Sequence, residues 1–217
     1  TGLLLELACG NGRLCIPIAK KGFDVTGIDI GALYIEDGKK KAARRGVKVR
    51  FIEGDIRGFD RLVRGTYDAV LSIWTSIGYY DKKTDQRIFA MAARRLRKGG
   101  LFLVLNTMSQ EYLLNHYCRH MYDETDRYVL LHKGNEFDRF HSTNKETWVF
   151  YEKSGADLKF VAELELRLRI YSSAEIVEMA EAAGMRFVEA FDNIKDLAPA
   201  RSDSTINMVF KRVSGKK

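Results

Sequence analysis

The protein has 217 residues and a net charge of +7; 46% of its residues are hydrophobic and 30% are charged. This length suffices for one sizeable core with an insertion but hardly for two full domains, and the composition is that of a soluble globular protein. We expect a cytoplasmic protein without membrane association: no apolar run approaches the ~20 residues that span a bilayer, no signal peptide is visible, and three cysteines are too few for a disulfide framework or a zinc knuckle.

Residues 3–18, LLLELACGNGRLCIPI, have the pattern of a buried strand, a glycine turn and a helix. Gly10 and Gly12 lack a Cβ, so the turn can take positive φ and let a ligand approach the main chain, while Glu6 at the strand end can accept hydrogen bonds. The turn lacks the third glycine of the dinucleotide fingerprint and the GK[ST] of a P-loop. Such turns serve NAD, FAD, ATP and S-adenosylmethionine alike, and a structural turn without a ligand is the alternative.

A second strand, residues 23–30, ends in Asp29 and precedes a helix over residues 32–45. Asp29 follows Gly12 at nearly the spacing, ~20 residues, of an acidic residue that binds ribose hydroxyls. A carboxylate suits that role because it is a pure acceptor. The alternative is a surface aspartate that caps the next helix.

Two further strands continue the alternation. The third, residues 47–52, leads into Asp55, which can accept from an exocyclic amine, and Ile56, which can cover a purine face. The fourth, residues 67–73, is followed by WTSIGYY. A helix over residues 84–96 is predicted to stop at Gly99-Gly100, and the fifth strand covers residues 101–106.

Basic residues cluster in two helical stretches, around residues 39–45 and 94–98. A nucleic-acid surface is one interpretation. The other is that both runs are solvated faces of amphipathic helices that flank a sheet, away from the strand ends where ligands bind.

Residues 107–171 break the alternation. A helix over residues 110–120 is predicted to precede strands 128–133, 136–141, 146–151 and 158–170, which are separated by turn-forming pairs. We interpret this stretch as an inserted antiparallel β subdomain; a structural or dimer-forming extension is the alternative. Ser172 or Ser173 then caps a helix, strands follow at 185–191 and 205–213, and a frayed tail is predicted at 214–217.

The order of these elements resembles the class I S-adenosylmethionine-dependent methyltransferases, strongly over residues 1–106 and moderately over 164–217. SIWTSIGYY is similar to small-molecule N-methyltransferases, of the type acting on nucleotide-linked amino sugars or on glycine. The resemblance implies an α/β, doubly wound, seven-stranded Rossmann-like sheet, with the seventh strand antiparallel at its edge. Residues 1–106 and 172–217 would bind S-adenosylmethionine and release S-adenosylhomocysteine, and residues 107–171 would cover the active site.

The same resemblance assigns the cofactor residues. Glu6, Ala8, Gly10 and Gly12 would hold the methionine moiety, with Cys9 and Arg13 in the same turn. The ribose would be held by Asp29 and Ile30, and the adenine by Asp55 and Ile56. The end of the pocket would be closed by Ser72 and Ile73.

Ser72-Ile73-Trp74-Thr75 stands where amino-directed nucleic-acid and glutamine methyltransferases carry N/D-P-P-Y/F. The Pro-Cys of cytosine-5 enzymes and the acidic cluster of metal-dependent catechol enzymes are not visible there either. Three specific alternatives are thereby weakened, while other RNA methyltransferases remain open.

Methyl transfer from a sulfonium mainly requires in-line placement of the acceptor, and an amine acceptor must be neutral. The candidate catalytic residues are His116, Tyr79 and Tyr80. The candidate substrate residues are Tyr112, Trp148, Arg169 and Tyr171, of which Arg169 would favour an anionic group. His116 and His120 have an i, i+4 spacing, but without a third ligand we expect no metal.

The resemblance therefore implies a methyltransferase that acts at nitrogen on a small molecule. An RNA methyltransferase that uses the basic surface is the first alternative, and a non-catalytic S-adenosylmethionine-binding regulatory module is the second. We expect a monomer or homodimer. Because the chain opens directly on a strand, we also expect a preceding native segment, which in this fold usually covers the cofactor.

Overall fold

The computed structural model describes residues 2–213, so the prediction for the tail at 214–217 lies outside the described residues. The helices and strands follow in chain order: β1 (Leu3–Leu7), α1 (Cys15–Lys20), β2 (Asp24–Asp29), α2 (Ala32–Arg44), β3 (Arg50–Glu53), a 3₁₀ helix (Ile56–Arg61), β4 (Tyr67–Ile73), α3 (Lys82–Arg95), β5 (Leu96–Thr107), α4 (Gln110–Asn115), β6 (His120–Glu124), β7 (Tyr128–Asp138), β8 (Thr143–Ser154), β9 (Asp157–Arg169), α5 (Ser173–Ala182), β10 (Met185–Ala190) and β11 (Ile206–Arg212).

The main sheet has seven strands in the order β10-β11-β5-β4-β1-β2-β3, and β1 to β5 run parallel. The predicted doubly wound sheet is confirmed. Strand order reverses at β1, which pairs with β2 on one side and β4 on the other. In open α/β sheets ligands bind at such a reversal, outside the carboxyl ends of the strands.

Helices cover both faces of this sheet. On one face Phe89 of α3 and Met179 of α5 pack against Phe102 of β5 in the larger core cluster. On the other face Cys15 of α1 and Ile35 of α2 pack in a second cluster. The rings of Phe89 and Phe102 meet edge to face with centroids 5.0 Å apart, a geometry worth ~0.5–1.5 kcal/mol beyond burial alone.

Strand β11 is antiparallel, as predicted, but its predicted place at the sheet edge is wrong. It lies between β5 and β10, and β10 forms the edge. The burial of the two strands explains the order: residues 206–210 of β11 are all buried, whereas residues 186–189 of β10 are all exposed. A strand that is apolar on both faces is best placed inside the sheet.

The prediction that Gly99 and Gly100 terminate the helix before the fifth strand is also wrong. Helix α3 ends at Arg95, and β5 begins at once with Leu96. Tyr67 pairs with Leu96 and Ala69 with Leu101, so residues 97–100 form a bulge within the strand. The positive φ of Gly99, 74°, belongs to this bulge.

The insertion folds into a separate antiparallel sheet in the order β6-β7-β8-β9, which confirms the predicted β subdomain. Its details differ from the prediction. Gly134 and Asn135 lie in a register shift inside the single strand β7 and do not form a hairpin turn. Helix α4 stops at Asn115, and the unpredicted β6 pairs with β7. The five residues of β6 are all exposed and do not alternate between apolar and polar side chains, so no pattern predicts a strand there.

Candidate active site

A cavity of about 530 Å³ lies at the carboxyl ends of β1, β2, β3 and β4, beside the reversal of strand order. The lining residues among those predicted to bind the cofactor are Glu6, Ala8, Cys9, Gly10, Arg13, Asp29, Ile30, Ile56 and Ile73. Tyr79 and Tyr80, predicted to take part in catalysis, line it as well. The structure thus brings together residues from four separate strand ends.

The turn after β1 has the left-handed backbone that its glycines suggested. The φ angles are 53° at Ala8, 55° at Gly10 and 79° at Gly12. A Cβ placed on Gly10 would have no protein atom within 4 Å, so the main chain there is open to the cavity. A Cβ on Gly12 would lie 2.5 Å from the Phe51 ring, so this second glycine permits close packing instead.

Asp29 fixes the turn from the neighbouring strand. Its Oδ2 accepts a hydrogen bond from the Gly10 N–H (2.7 Å), and its Oδ1 accepts from the Gly31 N–H (2.8 Å). Each carboxylate oxygen has a second acceptor site. Asp29 therefore combines two structural bonds with acceptor capacity at the cavity.

Glu6 is a buried carboxyl group at the floor of the cavity, 4% exposed. Its Oε2 accepts a hydrogen bond from the Cys15 thiol (2.8 Å). Burial raises the pKa of Glu6 to about 7, against the opposing effects of the Cys15 hydrogen bond and the Arg13 charge. Near neutral pH this group is divided between its two protonation states, and an adjacent cation would favour the ionised form.

Arg13 and Trp74 stack on one another where both line the cavity. Trp74 and Thr75 follow β4 directly and have positive φ angles of 53° and 57°. Two consecutive non-glycine residues in this region are strained, by an amount of order 1–3 kcal/mol each. Such strain is concentrated at ligand sites, so this loop belongs with the functional residues.

Tyr79 and Tyr80 bring two hydroxyl groups to the cavity. Burial is the main cause that raises the pKa of both phenols. The Arg57 guanidinium lies over the Tyr80 ring, 4.8 Å from its centroid. Both hydroxyls stay protonated at neutral pH and can donate as well as accept hydrogen bonds.

Comparison with protein families identifies the segment that builds most of this cavity. The family described as "Methyltransferase domain" matches residues 4–100.

Residues 4–100 are thus similar to a methyltransferase domain.

Curated relatives match either about half of this chain or nearly all of it. YqeM of Bacillus subtilis (strain 168), provisionally named a methyltransferase, is 35% identical over 106 residues, 47% of this chain and 41% of YqeM. A provisionally named methyltransferase of Geobacillus sp. (strain WCH70) is 24% identical over 216 residues, 96% of this chain and 84% of that protein. The ubiquinone biosynthesis O-methyltransferase of Pectobacterium carotovorum is 27% identical over 107 residues, 49% of this chain and 43% of the relative.

Solved structures share the whole fold, the insertion included. An S-adenosylmethionine-dependent methyltransferase from Clostridium acetobutylicum has a TM-score of 0.83 at 18% identity, with 98% of this chain and 84% of that one covered. The amino pentose methyltransferase CalS10 from Micromonospora echinaspora gives 0.74 at 18%, covering 97% and 83%. The sugar N-methyltransferase KedS8 from Streptoalloteichus gives 0.71 at 16%, covering 98% and 80%. The predicted class I methyltransferase fold is confirmed.

Three of the residues predicted to bind the cofactor do not line the cavity. Gly12 packs on Phe51, as described above. Asp55 caps the 3₁₀ helix, where it accepts from the Arg57 N–H (2.8 Å) and pairs with the Arg57 guanidinium. Ser72 is 1% exposed and shares a hydrogen bond (2.6 Å) with Ser76, which does line the cavity. The adenine role of Asp55 stays a prediction, because its carboxylate here is bonded to Arg57.

His116 and Tyr112 lie together outside the cavity. Their rings stack with centroids 4.4 Å apart, and His116 Nδ1 is 3.0 Å from the Tyr112 carbonyl oxygen. His116 Nε2 is 3.8 Å from Asp203. The roles of both residues in catalysis and substrate binding stay predictions.

The other predicted substrate residues also lie outside the cavity lining. Trp148 is on β8, edge-on to His132, and its indole N–H is buried without a hydrogen-bond partner within residues 2–213. Arg169 pairs with Glu175 (2.9 Å). Tyr171 is a core residue, 1% exposed. Arg169 is thus engaged in an ion pair and Tyr171 is packed in the core, and their substrate roles stay predictions.

Sequence reasoning missed four lining residues as candidates: Asn11, Trp74, Thr75 and Ser76. The only feature of the sequence that indicates these four residues is their position, because each follows the carboxyl end of β1 or β4. Within residues 2–213 no group of three or more His, Cys, Asp or Glu side chains is arranged to hold a metal ion. In the same range no helix is long and apolar enough to cross a membrane.

Proposed function

We propose that this protein is an S-adenosylmethionine-dependent methyltransferase that transfers a methyl group to nitrogen on a small molecule. One observation carries the proposal: the paired strands β1 and β2 of a methyltransferase domain bring the carboxyl groups of Glu6 and Asp29 to one cavity. The cofactor has a cationic methionine end and a ribose with two hydroxyl groups. Each of these ends is matched by one of the two carboxyl groups.

The residues present fit this cofactor. Glu6 is buried with a raised pKa, and a cationic group beside it would restore its charge. Asp29 retains acceptor capacity for ribose hydroxyls, and the main chain at Gly10 is open. Ile56 and Ile73 line the same cavity with apolar surface suited to a flat base.

The bound cofactor supplies an activated methyl group, so the protein need only align an acceptor with it and exclude water. The stacked Arg13 and Trp74 side chains form part of the cavity wall. Tyr79 and Tyr80, which stay protonated at neutral pH, are suited to orient an acceptor amine by hydrogen bonds and are poor bases. The acceptor amine must therefore arrive in its neutral form.

Transfer to nitrogen on a small molecule is supported by two lines of evidence. The structural neighbours CalS10 and KedS8 are named as an amino pentose methyltransferase and a sugar N-methyltransferase. The loop after β4 lacks the N/D-P-P-Y/F of amino-directed nucleic-acid enzymes. Transfer to oxygen is the alternative within the same class, because an O-methyltransferase also matches about half of the chain.

The test is a panel of acceptors supplied with tritiated S-adenosylmethionine: amino sugars, amino acids, phenols and total RNA. The proposal expects label in a small amine, and less of it in a reaction with Asp29→Ala at limiting cofactor concentration. Label found only in a phenol would instead identify oxygen as the acceptor atom. Binding of S-adenosylhomocysteine by calorimetry, with no label in any acceptor, would favour the non-catalytic regulatory module.

One observation favours RNA as a second candidate acceptor. Four arginines line a groove between the 3₁₀ helix and α3: Arg57, Arg61, Arg87 and Arg94. Within residues 2–213, Arg61 and Arg87 have no acidic partner. A groove of this kind and a net charge of +7 suit a phosphate backbone.

RNA binding is tested by its dependence on salt. A steep fall of tRNA affinity with rising salt, lost in the double variant Arg61→Ala/Arg87→Ala, would favour this alternative. The matched control is Lys40→Ala/Lys41→Ala, which removes the same charge from α2, where both lysines are paired with acidic residues one turn away. A cytoplasmic location and a monomeric or homodimeric state stay predictions.

A further inference from the structure

Gly78, between the cavity residues Ser76 and Tyr79, is held from two sides. Its N–H donates to Asp85 Oδ2 on α3 (3.0 Å), and its carbonyl oxygen accepts from the Arg169 N–H at the end of β9 (2.7 Å). The φ of Gly78 is 93°, and a Cβ there would collide with the Arg169 carbonyl oxygen. The loop between β4 and α3 is therefore clamped between a helix of the main sheet and the last strand of the inserted sheet.

Asp85 is the centre of this clamp. It is 0% exposed, and its Oδ2 also accepts a hydrogen bond from the Tyr171 hydroxyl (2.7 Å). Tyr171 is fixed in turn, since its carbonyl oxygen accepts from the Gln110 N–H (3.0 Å) at the start of α4. These hydrogen bonds thus connect the loop between β4 and α3 to both ends of the insertion, through Gly78, Asp85 and Tyr171.

The burial of Asp85 has a cost. Its Oδ1 is buried and has no hydrogen-bond partner within residues 2–213. An unsatisfied buried polar atom is destabilising. Packing alone does not explain a carboxylate at this position. The two hydrogen bonds that Asp85 Oδ2 accepts, from the Gly78 N–H and from the Tyr171 hydroxyl, do explain it.

We propose that Asp85 and Tyr171 are positioning residues: they hold the loop that presents Tyr79 and Tyr80 to the cavity and couple that loop to the inserted sheet. This inference rests on the proposed function, because the placement of the two tyrosines matters for a cofactor bound in the cavity. Neither Asp85 nor Tyr171 lines the cavity, so they act through Gly78.

The first measurement is amide hydrogen exchange, which requires no activity. In Tyr171→Phe and Asp85→Asn, the amides of residues 78–80 should exchange about tenfold faster, the effect of losing ~1.4 kcal/mol of local hydrogen bonding. The amides of Phe102 and Val104 in β5 should keep their rates. Unchanged exchange at residues 78–80 in both variants would overturn the proposal. If Asp85→Asn does not fold, Tyr171→Phe, which removes one oxygen atom, carries the test.

The second measurement is the affinity for S-adenosylhomocysteine by calorimetry. Both variants should bind about tenfold more weakly, while Tyr67→Phe, at another buried tyrosine that lies outside the cavity, should bind as the wild type does. Faster loop exchange with unchanged affinity would also overturn the proposal. If the wild type fails to bind S-adenosylhomocysteine, the proposed function is wrong, and the exchange rates still decide whether the clamp holds the loop.

Discussion

The guanidinium carbon of Arg13 lies 3.4 Å from the centroid of the Trp74 ring. The contact joins the turn after β1 to the strained loop after β4, two segments about 60 residues apart in the chain. A cation over an indole face is worth ~0.5–1 kcal/mol when exposed and ~2 or more when desolvated. The stack therefore contributes to holding Trp74 at its positive φ.

Arg13→Ala should release Trp74. In a Trp148→Phe background Trp74 is the only tryptophan, so its fluorescence reports on this loop. We expect stronger quenching by acrylamide and a loss of stability of ~0.5–2 kcal/mol. Arg13→Lys, which keeps the charge without the planar group, should give an intermediate result. Equal quenching before and after Arg13→Ala would show that the stack does not hold the ring.

Stability should fall as pH rises, in part because of Glu6. Its folded pKa of about 7 lies above the ordinary glutamate value of 4.5, so the folded state binds more protons than the unfolded state between these two pH values. The contribution of Glu6 is fully present below pH 4.5 and is lost by about pH 7, at a cost of up to ~3 kcal/mol. Glu6→Gln should therefore be more stable than the wild type at pH 8 but not at pH 4.5, as measured by urea unfolding. Glu53→Gln, an exposed control, should show no such difference, and an equal effect of Glu6→Gln at both pH values would contradict the prediction.

Asp29→Ala should weaken S-adenosylhomocysteine binding. The substitution removes a ribose acceptor and strands the N–H groups of Gly10 and Gly31, which costs ~1–3 kcal/mol, or about 5- to 150-fold in affinity. Calorimetry measures the change. The control is Asp24→Ala at the exposed opposite end of β2, which should leave affinity unchanged. Unchanged affinity in Asp29→Ala would remove this residue from the cofactor site.

Two glycines of the same turn should respond differently to a methyl group. Gly12→Ala combines a positive φ with a 2.5 Å contact to Phe51, so it should lower Tm more than Gly10→Ala does. Gly10→Ala adds its methyl where no protein atom lies within 4 Å and costs backbone strain of ~1–2 kcal/mol. Its main effect should be weaker S-adenosylhomocysteine binding. Thermal unfolding and calorimetry separate the two effects, and equal Tm losses would contradict this assignment.

The sequence analysis predicted those cavity residues that lie at the ends of strands. Glu6 and Asp29 terminate buried strands, and the geometry of a parallel sheet brings such ends together. Asp55 shows the limit of this reasoning. Its side chain bonds to Arg57, two residues away, and the spacing of motifs along the sequence does not predict such a local hydrogen bond. Tyr171 shows another limit, because its partner Asp85 is 86 residues away in the chain. Position in the sequence indicated the site, and long-range contacts decided which aromatic residues reach it.

The interior place of β11 has a consequence for the order in which the chain folds. Strand β10 reaches the sheet only through β11, which is made later, and β11 must find β5 across about 100 intervening residues. Closing so long a loop is slow, and it comes late during synthesis. Strands β1 to β5 can therefore assemble before residues 206–212 are made, and β5 keeps one edge unpaired until β11 is available.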